Sequence, residues 1–129
     1  MDSQTMIRRV MARSGLADPD EADRAIRAVL SALADTVSHD EVHDMASQLP
    51  KEYKDLVMGR IGERRPVQPM AWGDLVSRVQ SEMGLETREA AEHVTRSVFA
   101  TLKDAVSPGE IEDMLQELPL DLRETMRTA

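Results

Sequence analysis

The sequence predicts an all-α protein, with eight helices arranged as two similar four-helix halves. Three observations carry the prediction. The first is an internal repeat. Residues from Ile7 onward and from Val76 onward follow one pattern at a fixed offset, with no gap. Val10/Val79, Gly15/Gly84, Leu16/Leu85, Val29/Val98, Leu33/Leu102, Met45/Met114, Leu49/Leu118 and Pro50/Pro119 are identical pairs. Such a repeat sets architecture before function is considered. It also supplies an internal comparison: a residue kept in both copies serves the fold, and a residue in one copy is free for another role. The second observation is the near absence of aromatics. Tyr53, Trp72 and Phe99 are all there are, so the core is built from Leu, Val, Ile, Met and Ala. Strands draw on aromatic and β-branched residues, so this core favours helices. The third is apolar spacing by threes and fours between helix-capping signals.

Taken in order, the first helix carries Met6, Ile7, Val10 and Met11, matched by Leu75, Val76, Val79 and Met83. Gly15 and Gly84 stand where a left-handed C-terminal cap wants glycine. The second and longest helix starts at Asp18-Pro19-Asp20-Glu21, a capping side chain followed by proline at the first helical position. Its counterpart starts at Thr87. The two stripes are Ala22, Ile26, Val29, Leu33, Val37 and Ala91, Val94, Val98, Leu102, Val106. Ser38-His39-Asp40-Glu41 and Ser107-Pro108-Gly109-Glu110 read as capping boxes for the third helix. That helix buries Val42, Met45, Ala46, Leu49 or Ile111, Met114, Leu115, Leu118. Leu-Pro at 49–50 and 118–119 breaks it, and the fourth helix is expected to start at the proline. The fourth helix offers Tyr53, Leu56, Val57 or Leu122, Thr125, Met126.

The repeats occupy residues 1–61 and 70–129, and residues 62–69 hold Gly, Pro and Arg and read as a linker. A unit of about 60 residues buries too little surface to be comfortable alone, so one shared compact domain is expected.

The formal charge is −8. It argues against nucleic acid as a partner, because phosphate binding needs clustered Lys and Arg. The one basic cluster, Arg60, Arg64 and Arg65, reads as a solvated connector. With no cysteine, disulfides, thiolate metal sites and thiol catalysis are excluded. No apolar run reaches the length of a membrane span, and the N-terminus does not read as a signal peptide. The expectation is a soluble cytoplasmic protein, monomer or homodimer, with no membrane partner.

Chemistry-bearing patterns are few. His39 and His43 are four apart, but Asp40 stands where the HExxH zinc motif needs Glu, and no third ligand is apparent. The second copy has Pro108 and Glu112 at those places, so a solvated helix face is the reading and no metal is expected. The acids Asp18, Asp20, Glu21, Asp23 and Glu110, Glu112, Asp113 start helices, where the macrodipole favours them. They lack the alternating ligands of a calcium loop. No nucleophile motif and no cofactor motif is present. The nine methionines fall mostly on core stripes. Identical charges in both copies, Arg27/Arg96, Asp35/Asp104 and Asp44/Asp113, suggest that Arg27 pairs with Asp44 and Arg96 with Asp113, tying the second and third helices together.

The strings Ala-Ile-Arg-Ala-Val-Leu-Ser-Ala-Leu-Ala (25–34) and Met-Ala-Ser-Gln-Leu-Pro (45–50) resemble the bacterial DUF2267 family. That family carries an RAVL…L helix and an AQLP turn, often in duplicate. The resemblance covers nearly the whole chain, and the turn is its more specific half. Two departures stand out. The aromatic segment that often follows the turn is missing from Leu56 to Gly62, and Glu117 replaces Gln in the second turn. The family is uncharacterised. The resemblance implies an all-helical fold with helices crossing steeply in a globin-like array.

The functional expectation is a non-catalytic protein-interaction or regulatory module with no cofactor. The alternative is a small apolar-ligand carrier with a pocket between the two halves. A third, an enzyme with a buried acid–base pair, has no motif behind it.

Overall fold

A computed structural model describes residues 1–63 and 66–129. Its described residues form eight helices and no strand: α1 (Ser3–Ser14), α2 (Pro19–Thr36), α3 (His39–Ala46), α4 (Lys51–Gly62), α5 (Trp72–Met83), α6 (Arg88–Ala105), α7 (Pro108–Leu115) and α8 (Leu120–Thr128). The first three helices of each set have 12, 18 and 8 residues. The last differ, with 12 residues in α4 and 9 in α8.

Most helix ends follow the local chemistry read above. Gly15 and Gly84 close α1 and α5 with φ of 82° and 65°, conformations that cost a side-chain-bearing residue energy. Asp18 caps α2 by accepting from the Asp20 N–H at 2.8 Å, with Pro19 as first helical residue. Thr87 caps α6 through the Ala90 N–H at 3.1 Å. The Leu-Pro breaks fall one residue differently from expectation. Pro50 and Pro119 are the capping residues before α4 and α8, not their first residues. Leu49 and Leu118 lie in the tight turns after α3 and α7, yet are buried. The turns close through Leu49 N–H to Ala46 O and Leu118 N–H to Leu115 O, short bonds that fold each leucine back onto the core.

The long helices are the centre. All five residues of each expected stripe are buried, the fifth, Val37 or Val106, as the capping residue that follows its helix. In α2 burial extends around the helix to Ala25, Ala28, Leu30, Ser31, Ala32, Ala34 and Thr36. A helix covered on all sides is packed on all sides, and α2 touches α1, α3, α4, α5 and α6. The buried threonine hydroxyls on these helices are satisfied within their own turn. Thr36 donates to Ala32 O, Thr95 to Ala91 O and Thr101 to Ser97 O.

Each first helix packs on both long helices, that of its own set and that of the other. α1 packs on α6, and α5 packs on α2. Buried apolar residues from both sets therefore form one contiguous core. Ion pairs pin both contacts at matching positions. Arg9 Nη1 lies 3.0 Å from Asp104 Oδ2, and Arg78 Nη1 lies 3.0 Å from Asp35 Oδ2. Asp35 also receives Arg60 at 2.7 Å, and Asp104 receives Arg13 at 2.7 Å. Burial pushes the Asp35 carboxyl up, but the hydrogen bonds from Arg60 and Arg78 outweigh it and hold the group below its ordinary value. Asp104 is lowered in the same way by Arg13 and Arg9.

Leu33 is 1% exposed in this core. Leu33→Ala should cost about 2–5 kcal/mol in urea unfolding; a loss below about 1 kcal/mol would place the side chain outside the tightly packed interior. Asp35→Asn should cost about 1–3 kcal/mol, since it takes the charge from three hydrogen bonds made by two partly buried arginines. Asp104→Asn should cost less, because the side chains of Arg9 and Arg13 are 46% and 37% exposed against 17% and 23% for Arg60 and Arg78. Equal losses would contradict the ranking.

Candidate functional site

The residues expected to pair between the second and third helices do not meet. Arg27 Nε donates to Asp23 Oδ2 at 2.9 Å, one turn back on α2, and its guanidinium lies 5.4 Å from the centre of the Tyr53 ring. Arg96 turns to Glu92 at 3.8 Å and stands 5.1 Å over Trp72. Neither Arg27–Asp44 nor Arg96–Asp113 is among the ion pairs of the described residues. The physical reason is proximity: each arginine has an acid four residues before it and an aromatic face beside it. The signal was present, since Asp23 and Glu92 occupy matching positions, but they are not identical residues. Tyr53 completes the first group by donating to Asp23 Oδ1 at 2.8 Å. Burial, then that bond, raises its phenol well above its usual value. Asp44 lies instead 3.8 Å from exposed His43 Nδ1. His39 is half-buried at the start of α3. Of the basic cluster, Arg60 is bound to Asp35, and Arg64 and Arg65 lie outside the described residues.

Asp113 joins a different group. α3 and α7 pack against each other across the two sets. There, carboxylate oxygens of Glu41, Glu110 and Asp113 lie within 4.8 Å of one another. Glu41 and Glu110 are the third residues of α3 and α7, the acids expected to close capping boxes. Ser107 Oγ accepts from the Glu110 N–H at 3.5 Å, but in both sets the glutamate's half of the box is displaced. Ser38 N–H donates to Glu117 Oε1 at 2.8 Å, and Ser38 Oγ donates to Glu117 Oε2 at 2.9 Å. Reciprocally, Ser107 N–H donates to Gln48 Oε1 at 2.6 Å, and Gln48 Nε2 donates to Ser107 Oγ at 3.2 Å. The turn residue of each set therefore takes the N–H that the capping glutamate of the other would have taken. Glu41 and Glu110 are left to face each other. One oxygen of each, Oε2, is shielded from solvent with no hydrogen-bond partner. Loss of solvation raises the Glu41 carboxyl above its ordinary value, and Asp113, Glu117, Asp44 and Glu110 raise it further. These three carboxylates are the described residues best placed to hold a cation. The sequence reading took them for helix-start acids and did not bring them together.

Two surface recesses lie elsewhere on the described residues, one beside α7 and one beside α1. The larger, about 270 Å³, has a floor of Pro108, Ile111 and Leu115, with Lys103, Glu112 and Arg127 around it. Glu112 is held by Arg127 at 3.0 and 3.1 Å, and Lys103 Nζ donates to the carbonyls of Arg127 and Ala129. The smaller, about 240 Å³, is lined by Gln4, Ile7, Arg8, Met11 and Pro19. Each is built by one set of helices, so neither is the pocket between halves that a ligand carrier was expected to have.

The chain is thus an all-helical protein whose two sets of four helices share one core. It belongs to the DUF2267 family: the family's sequence model, described as an uncharacterized conserved protein, matches residues 3–125. No curated protein matches the chain. No helix among the described residues is long and apolar enough to cross a membrane.

Because Gln48 serves the turn-to-cap contact as well as Glu117 does, Glu117→Gln should leave stability within about 1 kcal/mol of wild type. Glu117→Ala should cost about 1 kcal/mol through the two lost bonds to Ser38. Chemical denaturation of both variants checks the order, and a glutamine variant weaker than the alanine one would refute the equivalence.

Proposed function

We propose that this protein is a non-catalytic interaction or regulatory module of the bacterial cytoplasm, and that a protein partner docks on the recess formed by α6, α7 and α8. The observation that carries this reading is where the two sets differ. At the matching place in the first set stand Ala34, which is buried, and Met58, which packs against the core. The second set puts Lys103 and Arg127 there, and Glu112 where the first has His43. The fold closes this place in one set and leaves an apolar floor with a charged rim in the other. Aliphatic floor and arginine rim suit a protein contact.

The size of the recess supports a surface contact over an enclosed ligand. Drug-sized ligands occupy pockets of about 300–1,000 Å³ that bury most of their surface. Both recesses are smaller.

Arg127→Glu reverses the rim without touching the floor. Affinity capture from the native cell with mass spectrometry should recover a protein with the wild-type chain and lose it at least about tenfold with Arg127→Glu, a loss of about 1.4 kcal/mol in binding. Equal recovery by both would remove the recess from the reading. A small molecule retained in native mass spectra, with no protein partner, would favour a carrier.

A further inference from the structure

The second set departs from the first at one more place, and that place lies on the same helix face as the rim of the recess. We propose that the recess takes Leu120 of a second copy of this chain, and that two copies pair reciprocally about a twofold axis, each supplying both knob and hole. This rests on the reading of the recess as a docking surface and names its occupant.

The first observation is exposure. Three large apolar side chains are exposed among the described residues, Met1, Val67 and Leu120, and only Leu120, at 69%, stands on a helix. A lone exposed leucine is ordinary on a protein surface. This one shares its helix face with the recess. Arg127 follows Leu120 by seven residues, close to two full turns, so both side chains stand on one stripe of α8. Both are exposed, while Leu122 and Met126 on the opposite stripe are buried. Arg127 belongs to the rim over Pro108, Ile111 and Leu115, and the recess of about 270 Å³ has room for a leucine side chain.

Placement on one face decides the symmetry. A knob and a hole on different faces join copies head to tail into an open chain. On one face, a twofold axis closes the pair, because each leucine meets the other copy's recess while its own recess is filled.

The charges around knob and hole are complementary. Leu120 is flanked by the exposed acids Glu117, Asp121 and Glu124, and the rim of the recess carries Lys103 and Arg127. Lys103 Nζ donates to two carbonyls, and no carboxylate of the described residues pairs with it. Seating Leu120 brings the acids beside it to that rim. The first set has neither half of the contact. Lys51 stands where the second has Leu120 and is held by Asp55 at 2.7 Å, and Met58, where the second has Arg127, packs against the core.

The test is sedimentation equilibrium of the full chain, wild type and Leu120→Lys, which puts the first set's residue at this place. At about 0.15 M ionic strength, repulsion between copies of formal charge −8 is screened beyond about 8 Å. Wild type should form a reversible dimer with a Kd below about 1 mM. Leu120→Lys should weaken it at least about tenfold, since two leucines leave water in each dimer. A wild type that stays monomeric over this range, or a dimer that Leu120→Lys leaves unchanged, would overturn the proposal. A second measurement needs no variant. Carbodiimide coupling of a mixture of light and nitrogen-15-labelled wild-type chains should give mixed-isotope peptides joining Lys103 to Glu117, Asp121 or Glu124. Mixed-isotope links confined to Lys51 and Lys54 would place the contact elsewhere and reject this one. The two readings fail separately. A monomeric wild type that captures a different protein through Arg127 overturns the second copy as occupant and leaves the recess as a docking surface. Equal capture by wild type and Arg127→Glu removes both.

Discussion

The buried faces of α1 and α5 are each shared between the two long helices, and the rest of the structure follows from that sharing. Met6 and Val10 on α1 are fully buried, as are Val76 and Val79 on α5. With α1 on α6 and α5 on α2, the long helices are covered from both sets, which is why α2 can be apolar around most of its circumference. Burial of this surface is the main favourable term. The pairs Arg9–Asp104 and Arg78–Asp35 add register to it: each places one charged fork at one point along the contact.

Most of the fold was legible because it rests on local signals. Caps at Asp18 and Thr87, glycines at 15 and 84 and the spacing of Ala22 to Val37 are each set by a few neighbouring residues. What the sequence could not display was which set of helices a polar side chain faces. Arg9 and Arg78 match in register, as do Asp35 and Asp104, yet nothing in a linear reading says that they meet across the molecule. The same holds for Gln48 with Ser107. The AQLP-like turn was read as a helix break, and its glutamine or glutamate also proves to be a bond to the other set. Arg27 was misassigned because identity between copies was sought, while the acid before it had changed from Asp to Glu. The recess beside α8 was not foreseen, although Lys103 against Ala34 and Arg127 against Met58 are departures that the internal comparison could have found.

The carboxylates fall into two groups with opposite responses to acid. Asp35 and Asp104 are lowered by arginines, so their stabilisation is full above the ordinary aspartate range and fades as pH falls through their depressed values. Glu41 is raised by loss of solvation and by acidic neighbours, so its strain appears as pH rises. Both groups are at ease only in the interval between, which sets the contact on the α1/α5 side against the seam on the α3/α7 side.

The packing of α1 on the long helix of the other set also bears on how the chain is made. Arg13 on α1 reaches Thr101 on α6 across 88 residues, and Arg9 reaches Asp104 across 95. During synthesis α1 leaves the ribosome long before the surface that covers it exists. Contacts such as α1 on α2 and α3 on α4 can form early, but the part of the α1 face that meets α6 waits for the second long helix. An all-helical protein usually folds through near neighbours, and this one must close its longest loops to finish. The nascent first half leaves the α6-facing part of α1 uncovered until translation is nearly over, which makes that interval the one in which a chaperone or a second nascent chain has most to bind.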